Sequence, residues 1–311
     1  MRNLASIVTL LVVATLFSCK SGMKEFKTLP SGLKYKIIED KSGDKKATVG
    51  SFVTMHIVTK IHDSVLFDSR KMNNDKPIET PVNAPAQSGD IMEAFPELTA
   101  GDSVVFQIPI DTLAKGQPLP PFAKSGDILE FQVKILTVQT KEEFEKSKEE
   151  ASKKQVEADD KTISEYIKTN NLTATKTASG MYYVVTAPGS GANATNGQQI
   201  TMNYTGMLLN GQKFDSNEDP AFQHVEPFKF VLGQGQVIKG WDEGIALLNK
   251  GAKAKLIIPS GMAYGDRALP GSPANPDGVP ANSILMFDVQ VKDIQAAPAA
   301  PANQQAPPQI K

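Results

Sequence analysis

The chain is poor in the residues that most enzymes use as reagents: its 311 positions hold one cysteine and three histidines. A single thiol excludes an intramolecular disulfide framework and any site built from several thiolates. His56, His62 and His224 lack the spacing of metal ligands, so no metal site is expected. Net charge is equally scarce, with 33 basic against 34 acidic residues. Without a basic stripe to neutralise phosphates, nucleic acid is not an expected partner. Gly233-Gln234-Gly235 lacks the strand-to-helix G-x-G-x-x-G context, so no phosphate loop and no cofactor are expected.

What is present is enough apolar residue, 40% of the chain, for roughly two domain-sized cores. Arg2 precedes an apolar run from Leu4 to Phe17 that is too short to span a bilayer and reads as a secretory signal. With Leu16-Phe17-Ser18-Cys19 at its end, this segment resembles a bacterial lipoprotein signal, although Phe17 fits less well than Leu16 and Ser18. The resemblance implies a signal peptide over 1–18, lipidation at Cys19, and a tether over 19–29. It further implies a cell-envelope location, lipid-anchored at the outer membrane on its periplasmic side or at the cell surface. Buried methylenes contribute about 0.8 kcal/mol each to such an anchor. An ordinary cleaved signal with an incidental cysteine is the alternative.

The chain also repeats itself. Thr54-Met55 followed by Phe67-Asp68-Ser69 matches Thr201-Met202 followed by Phe214-Asp215-Ser216 at one constant offset. Ser31-Gly32-Leu33-Lys34-Tyr35 likewise matches Ser179-Gly180-Met181-Tyr182-Tyr183. Two copies of one domain are expected, over 30–140 and 171–295. Alternating apolar and polar residues predict strands over Phe52–Val58, Val104–Pro109 and Glu130–Leu136, and again over Gln199–Leu209 and Gln212–Asp215 around a hairpin turn at Asn210-Gly211. Trp241, Ile245 and Leu248 stand at helical spacing, predicting one short helix over 240–248. Between the copies, 141–170 carries acid before base at i,i+4, as in Glu149/Lys153, and reads as a solvated helical linker; its apolar residues Phe144, Val156, Ile163 and Ile167 are too sparse for a coiled coil. The tail, 296–311, is rich in Ala, Pro and Gln and is expected to be disordered.

Six stretches of the second copy occur in order: Met202-Asn203-Tyr204-Thr205-Gly206, Phe214-Asp215-Ser216, Pro227-Phe228-Lys229-Phe230, Val237-Ile238-Lys239-Gly240-Trp241-Asp242-Glu243-Gly244, Ala263-Tyr264-Gly265 and Leu285-Met286-Phe287-Asp288-Val289. Together they resemble the FKBP-type family of peptidyl-prolyl cis-trans isomerases across 179–294. The resemblance implies an α+β fold in each copy, an antiparallel twisted sheet wrapped around one short helix. It implies catalysis by Tyr204, Asp215, Ile238, Trp241, Tyr264 and Phe287, and substrate contacts from Phe214, Phe228, Val237 and, at the rim, Val279. Trp241 would be the pocket floor, while the Ile238 N–H and the Tyr264 hydroxyl would donate to ligand carbonyls. Proline-containing unfolded or exported polypeptides would be the substrates, and macrolide inhibitors are partners the family implies.

The chain departs from that pattern in two ways. Eleven residues separate Asp215 from Pro227, with no arginine among them to pair with Asp215. The first copy keeps Phe67, Asp68 and Phe131 but has Ile57 at the Tyr204 position, Phe95 at the Trp241 position and no counterpart of Tyr264. It is therefore expected to keep the fold with little or no isomerase activity. The competing reading is a non-catalytic chaperone or peptide-binding lipoprotein using the same apolar pocket.

Overall fold

The structure is a computed structural model that describes residues 20–73, 75–114, 118–119 and 121–296. The expected signal peptide, Cys19 and the tail beyond residue 296 lie outside the described residues. The chain divides between Ser147 and Lys148 into two compact units.

In the first unit, strands β1 (Lys34–Asp40), β2 (Phe52–Ile61), β3 (Ser64–Asp68), β4 (Ser103–Pro109) and β5 (Ile128–Gln139) form an antiparallel sheet in the order β1-β4-β5-β2-β3. Alternation works as expected in β4: Val104, Phe106 and Ile108 are buried and their neighbours are not. The segment holding Phe95 is a 3-10 helix, Ile91–Glu97, that contains Pro96. Proline supplies no N–H to a helical ladder, which favours this short form over a regular α-helix. Phe95 is fully buried and stacks on Phe106 at 6.2 Å, so its ring is spent on the core. Asp68 accepts the Arg70 N–H at 3.0 Å and caps the turn Ser69–Met72.

Helix α1 (Lys141–Thr169) opens on a reciprocal cap: Thr140 Oγ1 accepts from the Glu143 N–H at 3.2 Å, and Glu143 accepts from the Thr140 N–H at 3.0 Å. The Phe144 ring stacks on Phe52 at 4.3 Å.

The second unit repeats the strand order. Its strands β6 (Tyr182–Ala187), β7 (Gln198–Leu208), β8 (Lys213–Ser216), β9 (Phe228–Val231), β10 (Lys253–Ile258) and β11 (Leu285–Ala296) are antiparallel, ordered β8-β7-β11-β10-β6 with β9 also on β7. Register slips between Thr201 and Met202 in the β7/β11 ladder and between Thr54 and Met55 in the β2/β5 ladder, which are corresponding places in the two units. In the hairpin, only Gly211 takes positive φ, at 86°, and its N–H donates to the Leu208 carbonyl at 2.9 Å. The central residues of the turn are thus Leu209 and Asn210, with Gly211 following them, and the Leu208 N–H donates to the Gln212 carbonyl at 2.9 Å.

Helix α2 (Lys239–Ala246) lies directly on β10. A Cβ at Gly240 would meet Ile258 at 2.4 Å, and one at Gly244 would meet Leu256 at 2.8 Å, so a larger residue at either place would have to push those side chains aside. Between them Trp241 is 5% exposed, and Ile245, just after Gly244, is fully buried.

The second half of α1 corrects the expectation of a solvated spacer. Ile163 is fully buried among Tyr182, Ile257 and Met286, with Tyr166 and Ile167 packed beside it. Positions i, i+3 and i+4 form one apolar patch, enough to dock a single face of the helix. The Tyr182 hydroxyl donates to Asp160 at 2.9 Å. From Asp159 onward one face of α1 therefore packs on the second unit, while the residues from Lys148 to Ala158 remain largely exposed.

Candidate functional site

The second unit encloses a cavity of about 380 Å³ lined by Tyr204, Phe214, Asp215, Phe228, Val237, Ile238, Trp241, Tyr264 and Phe287, together with Gly235 and Gln236. Each lining element is placed by the sheet or by its crossing helix. Tyr204 projects from the centre of β7, Phe214 and Asp215 from β8, Phe228 from the start of β9, and Phe287 from β11. Val237 and Ile238 lead into α2, and Trp241 sits in its first turn. Val279 is the exception: it is buried in the core and held to Leu269 by two backbone hydrogen bonds, at 2.8 and 3.0 Å, rather than lining the cavity.

The rings meet edge to face. Trp241 lies 5.0 Å from Tyr204 at 75°, 5.1 Å from Phe287 at 80° and 5.9 Å from Phe228 at 76°. Phe214 and Phe287 cross at 88° with centroids 5.5 Å apart. Such pairs add about 0.5–1.5 kcal/mol each beyond area burial, which stiffens the walls. Gly206 on β7 is required by this cluster, since a Cβ there would stand 2.7 Å from both Phe214 and Phe287. The Trp241 Nε1–H is buried and finds no acceptor among the described residues.

Polar groups gather on one side. The Tyr204 hydroxyl donates to Asp215 Oδ2 at 2.6 Å, and His224 Nε2 stands 2.7 Å from Asp215 Oδ1. The absence of an arginine therefore leaves Asp215 with a partner all the same. Burial, and then the hydrogen bond to Asp215, raise the Tyr204 phenol well above the usual tyrosine range. Burial and the Asp215 charge push Tyr264 in the same direction. Both phenols therefore stay protonated further into the alkaline range than an ordinary tyrosine. The Ile238 carbonyl accepts from the Trp241 N–H at 2.9 Å.

Sequence reasoning missed two members of this framework. His224 lacks the spacing of a metal ligand and offers no other sequence signal, yet its ring reaches Asp215. Asn217, buried, accepts the Tyr204 N–H at 2.7 Å and donates to the carbonyls of Met202 and Glu226 at 3.1 and 3.0 Å. It ties the irregular loop 217–227 to β7. An asparagine directly after the repeated Phe-Asp-Ser was the available signal.

Aromatic walls, phenol hydroxyls and one carboxylate make a site that can hold an apolar ring and offer hydrogen bonds to carbonyls. Comparison with known proteins agrees. Residues 191–292 match the family model described as FKBP-type peptidyl-prolyl cis-trans isomerase. Over 117 residues the chain is 45% identical to the peptidyl-prolyl cis-trans isomerase Fkbp12 of Drosophila melanogaster, covering 37% of this chain and 99% of that protein. Over 106 residues it is 48% identical to FK506-binding protein 1 of Saccharomyces cerevisiae, covering 34% of this chain and 84% of the relative. Of the longer FK506-binding protein 4 of Neurospora crassa, 47% identical over 107 residues, it covers 20%. The chain belongs to the FKBP-type peptidyl-prolyl cis-trans isomerase family.

Proposed function

We propose that the cavity of the second unit isomerises X-Pro bonds in unfolded or exported polypeptides, and that the first unit repeats the fold without the activity. The barrier of about 18–20 kcal/mol arises from amide resonance, which is lost as the bond twists. A dry, rigid pocket lowers it by holding the proline ring while stripping water from the amide, so that the twisted form is bound better than either planar form. A gain of about 5 kcal/mol would accelerate the step nearly four orders of magnitude. Trp241 is the floor for the ring, with Tyr204, Phe214, Phe228, Val237 and Phe287 as walls. The Tyr264 hydroxyl and the Ile238 N–H donate to carbonyls flanking the bond, and Asp215 holds Tyr204 in place.

The observation that carries this reading is the convergence of those residues on one cavity. For the first unit the supporting observation is Phe95, fully buried against Phe106. The test is turnover of a short proline peptide by the full chain carrying Trp241→Ala. Loss of a hundredfold or more is expected, and any residual rate measures the first unit; unchanged turnover would move catalysis away from this cavity. Attachment to the cell envelope through lipidated Cys19 is part of the same proposal, supported by the pattern from Leu4 to Cys19. Incorporation of labelled fatty acid that persists in Cys19→Ser would refute it.

A further inference from the structure

The best-buried carboxylate of the second unit is not among the residues that line the cavity. Asp159, on α1, is 3% exposed. Its Oδ2 accepts from both the Ser260 N–H and the Ser260 hydroxyl at 2.7 Å, while Oδ1 accepts from Gln155 Nε2 at 2.7 Å. Ser260 opens the 3-10 turn Ser260–Met262, whose preceding residue, Pro259, offers no side-chain cap. Asp159 takes that role from 101 positions away in sequence.

The other end of Ser260 faces the cavity segment. Its carbonyl accepts the N–H of Ala263 at 3.0 Å and of Gly265 at 2.9 Å, the two residues that flank Tyr264. Onward from there, the Gly265 carbonyl accepts the Asn282 N–H at 2.7 Å and the Tyr264 carbonyl accepts the Arg267 N–H at 3.2 Å. One residue thus receives a charged anchor on one side and fixes the backbone around Tyr264 on the other. Charge-assisted hydrogen bonds of this length are among the stronger ones a buried carboxylate makes.

We propose that Asp159 is a positioning residue for isomerisation, acting through Ser260 to set the place of the Tyr264 hydroxyl. The helix that carries it lies outside residues 191–292, the span matched by the family model, so the catalytic unit of this chain begins in α1 rather than at the family boundary. Displacement of a positioned group by about 1 Å can cost up to 10²-fold in rate. This inference rests on the reading that the Trp241 cavity is the reacting site.

The experiment uses the full chain and measures kcat/KM for a short proline peptide beside the melting temperature. Asp159→Ala is expected to lower kcat/KM roughly tenfold, and Asp159→Asn, whose side-chain carbonyl can still accept the Ser260 N–H, to restore most of it. In a Tyr264→Phe background the same Asp159→Ala change is expected to have no further effect on turnover. Ile163→Ala loosens the same helix without touching Ser260, and is expected to lower the melting temperature but leave kcat/KM of the folded protein unchanged. If Asp159→Ala does not fold, Ser260→Ala, which removes only the hydroxyl donor, should give a smaller fall that again vanishes with Tyr264→Phe. Wild-type kcat/KM in folded Asp159→Ala (or, where that variant does not fold, in Ser260→Ala), an equal fall in the Tyr264→Phe background, or an equal fall in Ile163→Ala would each overturn the inference. Full turnover in Trp241→Ala would remove the reading of the site and this inference with it. Inactive Trp241→Ala beside unaffected Asp159→Ala would remove the inference alone.

Discussion

Ile163→Ala separates two pictures of helix α1 by sign as well as size. On a solvated spacer, alanine is the better helix former by a few tenths of a kcal/mol, and the change would be neutral or slightly stabilising. In the structure Ile163 is fully buried against Tyr182, Ile257 and Met286. Truncating a buried isoleucine to alanine costs about 2–5 kcal/mol, the lost transfer free energy plus that of the cavity left behind. For a unit of this size each kcal/mol lowers the melting temperature by about 2–4 °C, giving a fall of roughly 4–20 °C. The chain has one tryptophan, Trp241, and it lies in the second unit, so its fluorescence reports unfolding of that unit by itself. Thermal and urea melts of the full chain followed at that fluorophore are the assay. A tryptophan-reported transition that stays put or rises would refute the docking of α1.

Gly206→Ala should overpack the aromatic wall at Phe214 and Phe287, costing about 1–3 kcal/mol of stability and weakening peptide binding, which titration calorimetry and a melt would measure together. Asn217→Ala leaves the Tyr204 N–H without its buried acceptor; a loss of about 1–3 kcal/mol is expected in urea melts, with slower proline-peptide turnover because Tyr204 is released. The raised phenols of Tyr204 and Tyr264 set an alkaline limit. Above about pH 10 the unfolded chain gives up these protons while the folded one keeps them, so the unfolded state binds fewer protons and stability falls as pH rises. Turnover by the protein that remains folded should show no loss with the ordinary tyrosine titration, and a step near pH 10 would contradict the neutral-donor assignment.

Much of the site was legible because its residues sit on regular elements. Tyr204, Phe214 and Phe287 fall on strands whose alternation is plain, and Trp241 on a helix whose spacing is plain. What stayed hidden depends on where irregular chain travels. His224 reaches Asp215 only because the loop 217–227 folds back, and Val279 goes to the core because its segment pairs with Leu269. Asp159 sits in a helix dense with charge, where one acid that is buried looks like its exposed neighbours until Ser260 is brought beside it. The docking of α1 was missed for a related reason. Three apolar side chains suffice when the partner surface is a sheet face already rich in them, whereas a periodicity argument asks the helix to supply the whole signal.

Gly240 and Gly244 bracket Trp241 against β10 with no room for even a methyl group. A helix seated this closely holds the indole near the sheet, so the depth of the cavity depends on these two glycines. The rest of the lining has no such constraint: Gly235 and Gln236 stand on the irregular segment before α2, and the loop 217–227 reaches Asp215 through His224. Variants sought for altered peptide preference should therefore be drawn from these segments, while bulk added at Gly240 or Gly244 should lower stability.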